Sequence, residues 1–151
     1  MKESVNKVPL LKKYINAVCE ILNIKAPSVS YDAEDFPVPS MLATCDSEGT
    51  TIYLRRGASF NMDLCLAVAH ELRHAWQIRS DKSFWLSSYK PREQCSSLEE
   101  YNLQPAELDA NAFSCVVLNT LFGVNPLFQG LPESVRDEIY KRAKQIVKNN
   151  Q

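Results

Sequence analysis

The chain has 151 residues, of which 45% are apolar and 23% are charged, and its 17 Lys and Arg against 18 Asp and Glu give a net charge of -1. This composition is typical of a compact globular protein and excludes disordered, collagenous and disulfide-stapled chains. A chain of this length buries about 70% of the surface that its unfolded form exposes, so we expect a single domain over residues 1–151. Because the charge is balanced, we expect no nucleic-acid partner.

The cysteines and the N-terminal residues bear on the cellular compartment. The 5 cysteines form an odd set without a C-x-x-C pair, and Cys19, Cys65 and Cys115 lie in apolar helical patterns. This favours buried thiols in a reducing environment over disulfides. No stretch approaches about 18 apolar residues, and no apolar run near Met1 is long enough for a secretion signal. We therefore expect a cytoplasmic protein without a membrane span, while its oligomeric state stays open.

The first part of the chain predicts one helix and a small sheet. Apolar residues recur at three- and four-residue spacing over residues 8–23, as in an amphipathic helix. Residues 28–31 permit one short strand within a stretch that prolines punctuate. Residues 41–45 and 51–55 flank a turn-rich cluster, and these two runs predict a β-hairpin.

A long helix is predicted next, followed by an irregular segment. Ser59 or Asn61 can cap a helix that continues to about Arg79. Its residues are apolar around most of the circumference, which predicts the central, buried helix of the fold. Residues 80–103 lack a clean periodicity, and a segment of this kind is either functional or mobile. Whether it forms a lid stays open.

Two further helices complete the chain. Pro105 suits a first helical turn, and the helix that follows it is ended by Gly123. A last helix begins near Pro132 and carries a narrow apolar stripe. The order of one helix, a small sheet and three helices predicts an α+β fold.

The only two histidines lie in one H-E-x-x-H motif, His70-Glu71-Leu72-Arg73-His74, within the predicted central helix. At about 100° and 1.5 Å per residue, His74 lies about 40° around the helix axis from His70, so both imidazoles can approach one tetrahedral metal ion. Glu71 lies about 100° around the helix axis from His70, so its carboxylate can reach a water molecule on that metal. The alternative is a pair of buried histidines that bond to backbone carbonyls, with Glu71 as a chance neighbour.

A third protein ligand is required if one metal position is to stay open for water. Glu107 is the best candidate, because it begins a mostly apolar helix in which an unpartnered carboxylate would be unfavourable. Asp109 is the rival, but it points about 200° away from Glu107, so only one of the two faces the metal. Asn111 shares the face of Glu107 and can orient a histidine by a hydrogen bond. Alternatively, Glu107 is an N-terminal acid that the helix dipole favours.

These residues predict a hydrolytic site that holds one Zn2+ ion. With two histidines and one carboxylate as ligands, zinc lowers the pKa of its water molecule to about 7. Glu71 would take the proton of this water as the general base and pass it to the leaving amine. Because no third histidine exists, a tyrosine would stabilise the oxyanion, and Tyr101 and Tyr89 are the candidates. Each of them could instead be an ordinary amphipathic side chain.

The two motifs together resemble those of the zincin metallopeptidases. The pairing of residues 70–74 with the Glu-Leu-Asp-Ala-Asn-Ala-Phe run at 107–113 is similar to the compact gluzincin-like group that includes ImmA/IrrE-type proteins. In the second motif, Asp109 replaces the second Glu of that group and Ser114 stands where Ala is usual. Metzincins and SprT-like proteins take a later histidine as a ligand, and this chain has none.

The resemblance implies a minimal zincin-like fold, in which a small antiparallel or mixed sheet packs on the active-site helix. It also implies an extended substrate along the strand before that helix, here Ile52, Tyr53 and Leu54, whose unpaired edge would bond to the substrate backbone. The alternative places this strand inside the sheet. We therefore expect a zinc-dependent endopeptidase that acts on a protein or peptide, or else a catalytically silent or gated zincin-like module that binds a protein partner.

Overall fold

The computed structural model describes residues 7–31, 36 and 41–149 of the chain. These residues form five α-helices, three short strands and one turn of 3₁₀ helix, so the predicted α+β class is confirmed. In chain order the elements are α1 (Lys7–Leu22), β1 (Ser28–Ser30), β2 (Ala43–Cys45), β3 (Thr51–Leu54), α2 (Met62–Leu86), the 3₁₀ turn (Arg92–Gln94), α3 (Leu98–Leu103), α4 (Pro105–Phe122) and α5 (Glu133–Asn149).

The three strands form a mixed sheet in the order β1-β3-β2. The predicted hairpin is confirmed, because β2 pairs antiparallel with β3, and β1 pairs with β3 in parallel on the other side. The prediction that Ile52, Tyr53 and Leu54 offer an open edge to a substrate is therefore wrong, and the alternative inner position is found. The short strand at Ser28–Ser30 occupies the edge that the prediction had left free.

The turn of the hairpin packs directly on α2. Asp46 accepts hydrogen bonds from the backbone N–H groups of Thr50, at 2.7 Å, and Thr51, at 3.1 Å, and from the Thr50 hydroxyl at 2.6 Å. Gly49 has a φ of 71°, and a Cβ atom added there would lie 3.0 Å from the backbone oxygen of Ala75. Glycine therefore serves both the turn geometry and the close approach to the helix.

Helix α2 extends beyond the predicted end at Arg79. Asn61 caps its start, as predicted, by accepting a hydrogen bond from the backbone of Leu64 at 3.0 Å. Asp81 has non-helical backbone angles (φ -160, ψ 76) and accepts from the backbone N–H of Phe84 at 3.1 Å. The helix thus kinks at Asp81 and starts again with that carboxylate as its cap, which explains why the apolar periodicity is lost near this point.

The core lies between the sheet, α2 and the surrounding helices. Tyr14 of α1 donates from its hydroxyl to the backbone oxygen of Cys65 in α2 at 2.6 Å, which ties the first helix to the central one. Cys19, Cys65 and Cys115 are buried, and all cysteines are free thiols, as the sequence predicts. Among the described helices, none combines the length and the apolar character that a membrane crossing requires.

Candidate metal centre

Helices α2 and α4 bring two imidazoles and one carboxylate to a single point. Nε2 of His70 lies 3.0 Å from Nε2 of His74 and 3.0 Å from Oε2 of Glu107, while Nε2 of His74 lies 3.3 Å from Oε1 of Glu107. A tetrahedral metal ion with bonds of about 2.0–2.1 Å separates its ligand atoms by about 3.3 Å. The three side chains therefore stand close to the spacing that one metal ion requires.

Hydrogen bonds to the other ring nitrogens direct the lone pairs toward this point. Nδ1 of His70 lies 2.8 Å from the amide oxygen of Asn111, and Nδ1 of His74 lies 2.9 Å from the amide oxygen of Gln77. An amide oxygen only accepts hydrogen bonds, so each ring carries a proton on Nδ1. Nε2 of each ring is then the nitrogen that faces this point, and it is the donor atom for a metal ion when it carries no proton.

The amide of Asn111 is oriented by a chain of hydrogen bonds from α3. Its Nδ2 donates to Oδ1 of Asn102 at 3.2 Å, and Nδ2 of Asn102 donates to the backbone oxygen of Leu98 at 2.8 Å. Because the backbone oxygen can only accept, Asn102 and then Asn111 are each fixed in one orientation. The histidine that Asn111 contacts is thus His70, and residues of α3 fix the orientation of the Asn111 amide.

Gln77 and Asn102 were not predicted from the sequence. Gln77 follows His74 by three residues in α2 and contacts the same ring, so the i, i+3 rule for helix neighbours could have identified it. Asn102 lies in the six-residue helix α3, within the segment that carries no periodic signal. No sequence pattern would have placed its side chain against Asn111.

The charges of the cluster favour a bound cation. Glu107 is 2% exposed. Burial by itself would raise the pKa of Glu107, but the imidazoles of His74 and His70 lower it well below its usual value. Burial by itself would lower the pKa of His74, but the carboxylate of Glu107 raises it to about 10. Glu107 is therefore ionised, and its charge can balance that of a cation held between the imidazoles.

Glu71 stands beside the two histidines. The ligand atoms of His70, Glu71 and His74 all lie within 4.8 Å of one another, so this group can hold a metal ion. Glu107 contacts the imidazoles more closely, which leaves Glu71 available as a base. Burial raises the pKa of Glu71, and the Glu107 carboxylate raises it further, although both imidazoles and the backbone N–H of Cys45 act in the opposite direction. A raised pKa suits a carboxylate that accepts and returns a proton.

Asp109, the rival ligand, points away from the histidines. Its side chain is buried and accepts from Nε and Nη2 of Arg73 at 2.7 and 3.1 Å, and from Nε and Nη2 of Arg142 at 3.0 and 2.8 Å. Both carboxylate oxygens are therefore engaged with arginines. The structure places Glu107, and not Asp109, beside His70 and His74.

Both predicted tyrosines lie at the candidate centre, where they form hydrogen bonds to Glu107. The hydroxyls of Tyr89 and Tyr101 lie 2.8 and 2.9 Å from Oε1 of Glu107 and 3.2 Å from each other. Each can donate to the carboxylate, since an ionised carboxylate only accepts. Burial raises the pKa of both hydroxyls, and the Glu107 charge raises it further, so both keep their protons.

A cleft leads to the centre from the surface. Its volume is about 500 Å3, and Glu71 and His74 lie on its lining. Thr44 and Cys45 of the hairpin contribute to one wall, and residues between 86 and 93 contribute to the other. Part of the segment that was predicted to be irregular therefore borders the candidate site.

No family model, no curated protein and no solved structure matches this chain. The resemblance to zincin metallopeptidases therefore rests on the motif residues alone and stays a prediction.

Proposed function

We propose that this protein is a zinc-dependent endopeptidase in which His70, His74 and Glu107 bind the metal and Glu71 is the general base. The observation that carries the proposal is the convergence of two imidazole nitrogens and a carboxylate within 3.0 to 3.3 Å of one another. Glu71 is the fourth side chain of the cluster, and its carboxylate provides the base rather than a ligand.

The donor set favours zinc in a catalytic rather than a structural site. Structural zinc sites are closed by four protein ligands, usually with cysteines among them, whereas two histidines and one carboxylate leave a position open. When bound, the ion supplies Lewis acidity toward a substrate carbonyl and toward water. Asn111 and Gln77 accept the Nδ1 protons of the imidazoles, which turns each Nε2 toward the position of such an ion.

The other steps fall to side chains of the cleft. Glu71, with its raised pKa, accepts a proton from the attacking water at its carboxylate and returns it to the nitrogen of the leaving amine. The negative charge of Glu107 balances part of the metal charge. Tyr89 and Tyr101 keep Oε1 of that carboxylate hydrogen-bonded.

An extended peptide is the substrate that the cleft accommodates best. Among the described residues, β2 pairs with no strand besides β3, and Thr44 and Cys45 of β2 line the cleft together with Glu71. A sheet edge next to the reacting groups can bond to a peptide backbone whatever its side chains are. This strand, rather than the inner strand β3, is the proposed contact for the substrate.

The test compares zinc content and cleavage of an unfolded protein such as reduced casein in four proteins: the native chain, Glu71→Gln, His70→Ala and Glu48→Gln. We expect Glu71→Gln to keep stoichiometric zinc and to lose cleavage by at least about 100-fold, which is the lower range for a general base. His70→Ala should lose both zinc and cleavage. Glu48→Gln, which changes an exposed acid of the hairpin turn, should match the native chain.

Two outcomes would contradict the proposal. A native chain that takes up no zinc would remove the metal centre altogether. A native chain that binds zinc but cuts no member of a broad peptide library would favour the zincin-like module that binds a protein partner without turnover.

A further inference from the structure

A line of hydrogen bonds connects the last helix to the metal centre, from Arg142 of α5 through Asp109 of α4 and Gln77 of α2 to His74. We propose that Gln77 is a positioning residue for His74, and that Arg142 acts on the centre at a distance by fixing Asp109. This inference rests on the proposed zinc site, but its test includes a measurement that needs no zinc.

The first step is the orientation of the Gln77 amide. Gln77 is 0% exposed, and its Nε2 donates to the backbone oxygen of Ala106 at 3.0 Å and to Oδ2 of Asp109 at 2.8 Å. Both partners can only accept, so the NH2 group must point toward them. Oε1 is thereby turned to Nδ1 of His74, at 2.9 Å. A reversed amide would leave two buried acceptors facing an oxygen and would present a donor to the ring.

The second step is the immobilisation of Asp109. Its Oδ1 accepts three N–H groups, two from Arg142 and one from Arg73, and its Oδ2 accepts from Nε of Arg73 in addition to Gln77. Arg73 is itself held, because its guanidinium lies 3.9 Å from the ring centroid of Trp76 and 4.8 Å from that of Phe113. The acceptor that orients Gln77 therefore has little freedom to rotate.

The third step concerns which elements support which ligand. His70 is oriented by Asn111 and, behind it, by Asn102 of α3, whereas His74 is oriented by Gln77 and, behind it, by Arg142 of α5. The two histidines of α2 are thus supported by different helices, His70 by α3 and His74 by α5. Loss of the Arg142 side chain should consequently disturb His74 and leave the hydrogen bonds that support His70 in place.

The experiment uses the full chain labelled with 15N-histidine, which gives a simple spectrum because the protein has 2 histidines. Native protein, Gln77→Met, Arg142→Gln and Lys141→Gln are compared for zinc affinity and, without metal, for the slowly exchanging proton on Nδ1 of His74. Methionine matches the linear shape of glutamine but offers no oxygen. Lys141 is exposed and immediately precedes Arg142, so Lys141→Gln controls for a lost charge on α5.

We expect Gln77→Met to lose the protected Nδ1 proton of His74, to keep that of His70, and to bind zinc about 10- to 100-fold more weakly. Arg142→Gln should show the same changes to a smaller extent, because Arg73 still contacts Asp109. Lys141→Gln should equal the native chain. Arg142→Gln also keeps the proposal testable if Gln77→Met does not fold.

An unchanged His74 proton and unchanged zinc affinity in Gln77→Met would overturn the inference. A change confined to Gln77→Met would overturn the part assigned to Arg142. If the native chain takes up no zinc, the proposed function fails, while the Nδ1 proton of His74 in the metal-free variants still decides whether Gln77 positions that ring.

Discussion

Glu107 presents its two carboxylate oxygens to different partners. Oε1 accepts from the hydroxyls of Tyr89 and Tyr101 and lies 3.3 Å from Nε2 of His74, whereas Oε2 lies 3.0 Å from Nε2 of His70. A carboxylate oxygen that already accepts two hydrogen bonds is a weaker metal donor than a carboxylate oxygen that accepts none. The tyrosines therefore favour ligation through Oε2 alone, which leaves more of the metal surface open to a substrate.

The two tyrosine hydroxyls are consequently expected to support metal binding. Tyr101→Phe should weaken zinc binding by up to about 10-fold, because it removes one of the bonds that orient the Glu107 carboxylate. Zinc affinity can be measured by competition with a chromogenic chelator, with the exposed Tyr31→Phe as the control. Unchanged zinc affinity together with a lower kcat would instead assign Tyr101 to the oxyanion, as the sequence suggested.

At the scale of secondary-structure elements, the turn of the hairpin is held by the carboxylate of Asp46. Partial burial by itself raises the pKa of Asp46, but hydrogen bonds from the Thr50 hydroxyl and from the backbone of Thr51, Thr50 and Gly49 outweigh it, and the pKa is lowered from its usual 3.8. A lowered pKa in the folded state means that the ionised form stabilises the fold. This contribution is fully present above about pH 4 and is lost as the pH falls through the lowered value.

Asp46→Ala should therefore reduce the free energy of unfolding by about 1 kcal/mol at neutral pH, and by progressively less as the pH falls below about 4. Urea titrations of both proteins at several pH values measure the difference. Ser47→Ala, in the same turn, should show no such dependence. If the free energies of unfolding of the native chain and Asp46→Ala differ by the same amount down to pH 2, the Asp46 charge does not stabilise the turn.

Three helix boundaries were predictable from the chemistry of a single residue. Asn61, Pro105 and Gly123 each mark a boundary by their own chemistry, and the structure ends or begins a helix at each of them. The prediction was wrong at Asp81, because a carboxylate that restarts a helix after a kink resembles, in sequence, the start of a loop. It was also wrong for β3, since strand order depends on a parallel partner that lies 23 residues earlier in the register, Ser28 opposite Thr51.

The candidate site likewise contains residues that local sequence patterns predict and residues that only the tertiary structure brings together. The histidine pair follows from helical spacing, and Glu107 follows from the cost of an unpartnered carboxylate on a mostly apolar helix. Asn111 follows from its place four residues later on the same helix face. Gln77 lies within reach of the same spacing rule, because it follows His74 by three residues in α2. The contact between Asn111 and Asn102 joins two helices that pack by tertiary structure, and no local pattern encodes it.

At the scale of the whole molecule, the candidate metal centre joins two helices that are distant in sequence. His70 and His74 belong to α2 and Glu107 belongs to α4, while α3 and α5 hold the residues that orient the ligands. An unfolded chain offers no such arrangement, because the histidines and Glu107 are then separated by a flexible segment of more than 30 residues. Zinc should therefore bind the folded state almost exclusively and stabilise it by mass action.

Zinc at about 1,000 times its dissociation constant should stabilise the fold by about 4 kcal/mol, which for a chain of this size corresponds to a rise in Tm of roughly 10 °C. Differential scanning calorimetry with and without a chelator measures this shift, and magnesium at the same concentration serves as a control. His70→Ala should lose the zinc-dependent shift, because it removes one of the three ligands, whereas Asp109 variants that still fold should retain part of it. Equal Tm values for the native chain with zinc and with chelator would show that the cluster of His70, His74 and Glu107 is satisfied by a proton and does not take up zinc.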